Sequence, residues 1–182
     1  SGKSTLAKIL VGIEQADSGE VLLAGKKHDC GNYQSNNHLI RYIFQDAARS
    51  LNPNQKIADI LHDVLRYSTV LSFEQREQKI AQTLKLLGLL NEHGNYYPHM
   101  FSGGQLQRAM AAMAMSCRPD VLVLDEPTTA LDVTTQIEVL ILLKSLIRQY
   151  NTAALYITHD LAVVSGMADQ VALMYAGQIV EV

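Results

Sequence analysis

The sequence predicts an α/β fold with a mostly parallel sheet and an inserted helical subdomain, on three observations. Apolar runs of strand length alternate with segments of helical periodicity, as expected when parallel strands are joined by helices. The run Val121–Leu124 is entirely apolar, which is typical of a strand buried on both faces. From Pro53 to Pro98 the apolar spacing is helical, so a block of helices interrupts the strands.

The core elements are predicted in a definite order along the chain. The first half contains a helix over Thr5–Val11, a strand over Glu20–Ala24, a surface loop from Lys26 to Asn37 and a strand over Leu39–Phe44. The second half contains strand Val121–Leu124, helix Val133–Gln149, strand Ala153–Thr158, a short helix from Asp160, strand Gln170–Tyr175 and strand Ile179–Val182. We expect parallel pairing because helices alternate with the strands.

The inserted helices are predicted from apolar residues at helical spacing. The first is marked by Ile57, Ile60, Leu61, Val64 and Leu65. The second is opened by Ser72 and marked by Ile80, Leu84 and Leu87. We place this helical subdomain at about residues 53–118, inserted into a single domain that covers residues 1–182.

Composition excludes several classes of protein. The hydrophobic content of 48% is ordinary for a globular α/β domain, and a net charge of −3 argues against a general nucleic-acid binder. Cys30 and Cys117 lack a CxxC arrangement, so we expect reduced thiols in a cytosolic protein. No apolar run approaches the roughly 20 residues of a membrane span, and the start does not resemble a signal peptide. Any membrane association is therefore expected to come through a partner.

Two carboxylates follow the predicted buried strand directly. Asp125 and Glu126 come at its carboxyl end, where open α/β sheets place their ligands, and Pro127 fixes the position. Mg²⁺ is commonly held by one or two carboxylates together with water and phosphate, which suits Asp125. Glu126 is the candidate general base that orients or polarises an attacking water.

Two further motifs are suited to phosphate. Gly2-Lys3-Ser4-Thr5 precedes the first helix: Gly2 lets the backbone approach, Lys3 reaches the β- and γ-phosphates, Ser4 can ligate Mg²⁺, and Thr5 touches the α-phosphate. Ser102-Gly103-Gly104-Gln105 predicts a helix start, with Ser102 as N-cap and Gln105 completing a capping box. Backbone N–H groups at such a start can hold an anion. Together with the carboxylate pair, these motifs predict nucleotide hydrolysis.

The combination resembles the ATP-binding subunits of ABC transporters over nearly the whole chain. The resemblance rests on two segments. The first is Phe101-Ser102-Gly103-Gly104-Gln105-Leu106-Gln107-Arg108, and the second is Val121-Leu122-Val123-Leu124-Asp125-Glu126-Pro127-Thr128-Thr129-Ala130-Leu131-Asp132. The Ser-Gly-Gly-Gln signature is the specific part, since other P-loop ATPases lack it. The resemblance implies a P-loop NTPase core, ATP and Mg²⁺ as ligands, and ATP hydrolysis coupled to transport.

The resemblance also implies roles that the residues alone would not reveal. His159 is expected to contact the γ-phosphate, and Gln45 to sense Mg²⁺ and the γ-phosphate and to couple to the membrane partner. Asp132 matches a segment that communicates across a dimer. The signature residues Ser102, Gly103, Gly104 and Gln105 are expected to cap ATP bound to a second ATPase subunit, identical or different.

A particular branch of the family is indicated by two segments. Phe44-Gln45-Asp46 followed by Ser50-Leu51-Asn52-Pro53 is similar to the peptide and nickel importers, and most similar to the antimicrobial-peptide (Sap-type) uptake ATPase, although Ala47 replaces the usual proline. The resemblance implies permease partners, a peripheral position at the cytoplasmic face of the inner membrane, and import of peptides or related small solutes. The cargo itself is left open.

The family's phosphate loop reads Gly-x-x-Gly-x-Gly-Lys-Ser/Thr, and this chain begins within it. We therefore expect a fragment that lacks both ends and, alone, binds ATP poorly and is inactive. One alternative function is a soluble, non-transport ABC ATPase that acts on ribosomes or DNA, although the insert is too compact for the long coiled coil of the DNA-repair relatives. A regulatory subunit with a dead ATP site is disfavoured by Glu126 and His159, and a GTPase by the lack of Asn-Lys-x-Asp.

Overall fold

The computed structural model describes residues 2–28, 39–44 and 50–182. The predictions for Gln45, for Cys30 and for most of the loop from Lys26 to Asn37 concern residues outside these ranges. The predicted α/β fold is confirmed: a parallel sheet, helices packed on it and a helical block follow one another in the expected order. The boundary of the helical subdomain at about 53–118 stays a prediction.

The centre of the fold is a three-stranded parallel sheet in the order β3-β4-β5. Its strands are β3 (Ile40–Ile43), β4 (Val121–Asp125) and β5 (Ala153–Ile157). Strand β4 lies in the middle and is almost fully buried, as its apolar run requires. The register sets Ile43 opposite Leu124 and Asp125 opposite Ile157, so all three strands end at one edge.

Two hairpins depart from the predicted parallel pairing. The pair β1 (Val21–Leu23) and β2 (Lys26–His28) is antiparallel, so the loop predicted from Lys26 onward begins in fact as a strand. The reason is the turn: Ala24 and Gly25 both have positive φ, the conformation that closes a two-residue hairpin.

The second hairpin joins β6 (Leu173–Tyr175) to β7 (Gln178–Glu181), again antiparallel. Its turn has the same conformation, with positive φ at Ala176 and Gly177. The strand predicted from Gln170 begins only at Leu173. Pairing in both hairpins was therefore decided by turn geometry rather than by the alternation of helices and strands.

Three helices form the inserted block: α2 (Ile57–Ser68), α3 (Phe73–Leu86) and α4 (Gly103–Ser116). The predicted cap at Ser72 is confirmed, with its side chain and that of Gln75 forming a capping box. The block shares one apolar core with strand β4 and helix α5 (Val133–Tyr150). Fully buried members of that core are Ile57, Leu61, Leu65, Leu84, Leu122, Leu124, Leu143 and Leu146.

Two shorter helices complete the fold. Helix α1 (Lys3–Val11) ends at Gly12 in the left-handed conformation and packs Ala7 and Val11 against the sheet. Helix α6 (Leu161–Met167) begins at the cap Asp160. Among the described residues, none of the helices has the length and apolarity needed to cross a bilayer.

The start of helix α4 is packed closely against the start of α5. A Cβ atom built on Gly103 would lie 3.1 Å from Leu131 Cδ2, and one built on Gly104 would overlap Thr135 Cγ2. Further along α4, the Gln107 side chain donates to the Pro127 carbonyl, and Arg108 pairs with Glu138 of α5 at 2.6 Å. Small residues and two side-chain bridges thus fix α4 relative to the end of β4.

The first prediction concerns this packing. Gly104→Ala should lower the free energy of unfolding by about 1–3 kcal/mol, because the added methyl group overpacks the contact with Thr135. Thermal or denaturant unfolding measures the change. Gly166→Ala in α6 is the control, since a Cβ there meets no atom within 4 Å and should be neutral or slightly stabilising.

Adding Thr135→Ser to Gly104→Ala should restore most of the lost stability, since it removes the methyl group that collides. Equal stability of Gly104→Ala and Gly166→Ala would contradict the close approach of the two helices.

Candidate active site

The ends of strands β4 and β5 bring the candidate catalytic residues together. Asp125 is the last residue of β4 and lies opposite Ile157. The next residue, Glu126, continues the ladder, since its N–H donates to the Ile157 carbonyl at 2.9 Å. His159 follows β5 by two residues and reaches the same edge. Two residues predicted from separate parts of the sequence therefore meet in space.

Glu126 and His159 form a direct hydrogen bond, with His159 Nδ1 at 2.9 Å from Glu126 Oε1. This bond is the main reason why the pKa of Glu126 lies below its ordinary value, although partial burial opposes it. The Glu126 carboxyl group is therefore ionised at neutral pH. Because a carboxylate only accepts hydrogen bonds, Nδ1 carries the proton, and in a neutral ring Nε2 is then an acceptor.

The backbone of Glu126 is held in an unusual conformation. Its φ is +48°, which lies in the left-handed region. Residues other than glycine rarely adopt this region, and asparagine does so more often than most. Such a conformation costs on the order of 1–3 kcal/mol and persists only where the surroundings impose it. Thr129 contributes to this restraint, since its hydroxyl lies 3.2 Å from both the backbone oxygen and Oε2 of Glu126. The backbone conformation and the Thr129 contacts thus restrain the position of the Glu126 carboxylate.

Thr129 was not among the predicted site residues. A hydroxyl three residues after Glu126 in a tight turn is a local signal that could have identified it, because Thr side chains commonly bond to the backbone of their own turn.

Asp125 is buried and has a partner that the sequence did not indicate. Its Oδ2 accepts a hydrogen bond of 2.6 Å from the Tyr42 hydroxyl of β3. Burial is the main cause that raises the pKa of Tyr42, and the bond to Asp125 adds to it. Tyr42 is therefore a permanent donor at neutral pH, and it holds one carboxylate oxygen in place.

A second tyrosine lies behind the edge. The Tyr156 hydroxyl of β5 lies 3.2 Å from the Thr128 hydroxyl, and burial raises the pKa of Tyr156 to about 12. Both hydroxyls belong to residues next to the predicted site. They add neutral polar groups to an edge where Asp125 and Glu126 carry the negative charge.

Helix α1 supplies the positive charge. Lys3 in its first turn lies close enough to Glu126 to contribute to the lowered pKa of that carboxyl group. The helix is positioned by Ala7 and Val11, which pack with Val123 of β4. Gly2 precedes the helix with φ +84°, a conformation that favours glycine. In the same turn, Ser4 and Thr5 are exposed.

The signature segment forms the predicted capping box. Ser102 Oγ accepts from the Gln105 N–H, and the Ser102 N–H donates to Gln105 Oε1 at 3.0 Å. This start of α4 contacts the segment after β4 through Gly103 and Gly104. Asp132 caps α5 and accepts from the Thr135 N–H, a bond that lowers the pKa of Asp132. The signature and Asp132 are therefore neighbours, on a surface adjoining the strand edge.

The residues at this edge fit a magnesium ion held mainly by phosphate and water. No group of three or more His, Cys, Asp and Glu suited to a metal occurs in the described ranges, so a cage made wholly of protein ligands is absent there. Mg²⁺ does not need one, because one or two carboxylates and the substrate's phosphates suffice. Asp125 and Ser4 provide a carboxylate and a hydroxyl, whereas Gln45 lies outside the described residues.

The hydrogen bond between Glu126 and His159 generates the second prediction. His159→Ala should raise the pKa of Glu126 because it removes the main donor. A lowered carboxyl pKa stabilises the fold above the ordinary pKa, and this stabilisation is lost as the pH falls through the lowered value. The variant should therefore be less stable at neutral pH but not at low pH. The carbon chemical shift of the Glu126 carboxyl group, followed against pH, measures the change.

His99→Ala is the matched control, because His99 is exposed and stacks on the Tyr97 ring. It should leave the Glu126 titration unchanged. An unaltered pKa of Glu126 in His159→Ala would show that another group keeps this carboxylate ionised.

Comparison with known proteins bears directly on this arrangement. The family model described as ABC transporter matches residues 1–129. A di/tripeptide transport ATP-binding protein of Pseudomonas aeruginosa is 46% identical over 99% of this chain and 57% of its own length. A peptide transport system ATP-binding protein of Salmonella typhimurium is 40% identical, covering 100% of this chain and 68% of its own length. An Escherichia coli relative, also 40% identical, is named for putrescine export.

Solved structures match as well. The dimeric bacterial ABC transporter cassette MJ0796 superposes with a TM-score of 0.76 at 28% identity, over 90% of this chain and 72% of that one. A post-hydrolysis state of the same cassette, bound to ADP and Pi, gives a TM-score of 0.75. The chain spans 57% of the length of the Pseudomonas aeruginosa relative and 68% of that of the Salmonella typhimurium relative. The predicted family is confirmed, and relatives named for peptide transport are among the matches, as the predicted branch implies: the chain belongs to the ABC transporter family.

Proposed function

We propose that the chain binds and hydrolyses ATP as the ATP-binding subunit of a transporter for peptides or related small solutes. The observation on which this depends most is the Glu126–His159 pair at the edge of the sheet. An ionised, aimed carboxylate beside an imidazole is suited to control a water molecule, which is what phosphate transfer to water requires.

The phosphates of ATP are assigned to the start of α1. Lys3 supplies a cation for the β- and γ-phosphates close to Glu126, and Gly2 allows close approach of the backbone. The Ser4 and Thr5 hydroxyls are exposed in the same turn and available to a metal ion and to the α-phosphate. This assignment agrees with the helix start as an anion-binding element.

Asp125, Ser4 and Gln45 are proposed to hold Mg²⁺. When bound, the ion neutralises charge that develops on the phosphate oxygens. Tyr42 restrains one oxygen of Asp125 and so directs the other toward a ligand. Glu126 then accepts a hydrogen bond from the attacking water, and His159 orients Glu126 and contacts the γ-phosphate.

A second ATPase subunit is proposed to complete each site. Ser102, Gly103, Gly104 and Gln105 present a capped helix start on a surface beside Asp132, which fits a contact with nucleotide held by another chain. The dimeric form of the similar cassette supports this assembly. Transmembrane permease subunits are the other proposed partners, which would hold the protein at the cytoplasmic face of the inner membrane.

Transport is favoured over action on ribosomes or DNA because the relatives are named as transport ATP-binding proteins. Peptide import is proposed on the names of two of them, while a third, equally identical to the second, is named for putrescine export. We therefore propose small solutes as the class of cargo, with peptides as the first candidate. Purification of the natively expressed protein with its permease subunits tests this assignment, and co-purification of ribosomes or DNA instead would overturn it.

The third prediction addresses catalysis. In the transporter complex, Glu126→Gln should retain ATP binding but slow hydrolysis about 10²–10⁴-fold, because the amide cannot act as a base. Phosphate release measured at saturating ATP gives the rate, and nucleotide binding is measured separately. Glu92→Gln, an exposed glutamate in the helical block, is the control and should keep the full rate. An unchanged rate in Glu126→Gln would remove this residue from the role of base.

The fourth prediction addresses the shared site. In the natively expressed protein, Ser102→Arg should abolish hydrolysis but leave ATP binding to the monomer intact, since the signature serves the opposite nucleotide. A heterodimer of Ser102→Arg with Lys3→Ala contains one site with both residues intact and one with neither. Partial recovery of hydrolysis is expected only in that mixture. Lack of recovery in verified heterodimers would argue that each chain completes its own site.

A further inference from the structure

A cavity of about 790 Å³ lies on the helical block, away from the residues assigned to ATP. Its walls are the end of α2 and the residues that follow it (67–71), Lys79 and Gln82 of α3, and residues 116–118 at the end of α4. We call it the cationic pocket. Its volume falls within the range of about 300–1,000 Å³ that is usual for small-ligand sites. None of the residues assigned to phosphate, Mg²⁺ or water control lines it.

Among the residues that the structure describes, the lining contains two cations, Lys79 and Arg118, and no carboxylate. A third cation lies beside it: Arg41 of β3 donates through Nη2 to Ser68 Oγ and, at 3.1 Å, to Cys117 Sγ. The chain has 18 acidic and 15 basic residues, so a set of cations without any acid runs against the overall balance. Across residues 2–28, 39–44 and 50–182, no ion pair involves these three cations.

The cations are close enough to repel one another. Burial is the main cause that lowers the pKa of Lys79, and repulsion from Arg118 lowers it further. The Arg118 guanidinium also lies 5.7 Å from the centre of the Tyr150 ring, within the distance at which a cation interacts with the face of an aromatic ring.

Arg41, which lies beside the cavity, has a hydrogen-bond donor that is left unpaired in the part of the chain that the structure describes. Its Nε atom is buried and has no hydrogen-bond partner among the described residues. Buried donors are normally paired, and an unpaired one is costly. Arg41 does not itself line the cavity, so the charges that a ligand would meet there are those of Lys79 and Arg118. The arrival of a negative ligand that accepts hydrogen bonds would relieve the repulsion between these two.

We propose that the cationic pocket binds a small multivalent oxyanion, whose phosphate or carboxylate oxygens pair with Lys79 and Arg118. A charge of at least two is expected because two cations face the cavity. Gln82 supplies a neutral amide donor from the same wall. The proposal is independent of ATP hydrolysis, since the pocket shares no residue with the proposed nucleotide site.

Cys117 provides a local reporter of occupancy, because its thiol is free and lines the cavity. The natively expressed protein is treated with iodoacetamide at constant ionic strength, and alkylation of the Cys117 peptide is followed by mass spectrometry. Pyrophosphate and citrate are the two probes, which separate phosphate from carboxylate ligands, and nitrate is the salt control. We expect at least one probe to slow alkylation in a saturable manner, whereas nitrate does not.

Variants on α3 make the test specific. Lys79→Gln should weaken protection about tenfold or more, because it removes a charge-assisted hydrogen bond. Lys85→Gln, an exposed lysine on the same helix, should change it less than about twofold. If Lys79→Gln is poorly folded, Arg118→Gln gives the same comparison. The proposal would be overturned if neither probe protects Cys117 at about 10 mM. It would also be overturned if Lys79→Gln and Lys85→Gln lose protection equally.

Discussion

The parallel pairing of β4 with β5 is the constraint on which the candidate site depends. Its register sets Asp125 opposite Ile157, and the Glu126 N–H extends the ladder by one bond after the strand has ended. That bond lets the chain turn sharply at Glu126 with positive φ while its carboxylate stays at the edge. A shift of one residue would send Asp125 and Glu126 to the opposite faces of the sheet. The burial of β4 in two apolar clusters makes such a shift costly.

The helical block is coupled to this edge by polar contacts as well as by its apolar core. Gln107 and Arg108 bridge from α4 to Pro127 and Glu138, which lie just after β4 and on α5. The first bridge is buried, so its loss would leave an unpaired amide. The second joins partly exposed charges and contributes less to stability. Because Pro127 directly follows Glu126 in sequence, a displacement of α4 would be transmitted through the Gln107 contact to the residues around the proposed base.

Local signals in the sequence predicted most of the fold and part of the site. The helix start at Ser72, the capping box at Ser102 and the buried strand before Asp125 depend on neighbours a few residues apart, and these were predicted correctly. The bond between Tyr42 and Asp125 joins residues 83 positions apart, and no local pattern specifies it. The hairpin at Ala24-Gly25 was missed because an alanine with positive φ is not a usual turn signal. His159 was placed beside Glu126 through the family resemblance together with strand register.

The two charged regions of the molecule differ in how far their charges are balanced. At the sheet edge, Glu126 is hydrogen-bonded to His159 and lies near the positive charge of Lys3, and Asp125 accepts a hydrogen bond from Tyr42. In the cationic pocket, by contrast, no carboxylate stands beside Lys79 and Arg118 among the lining residues that the structure describes. Because Lys79 and Arg118 repel each other, a negative ligand bound between them would lower the electrostatic free energy of the folded chain.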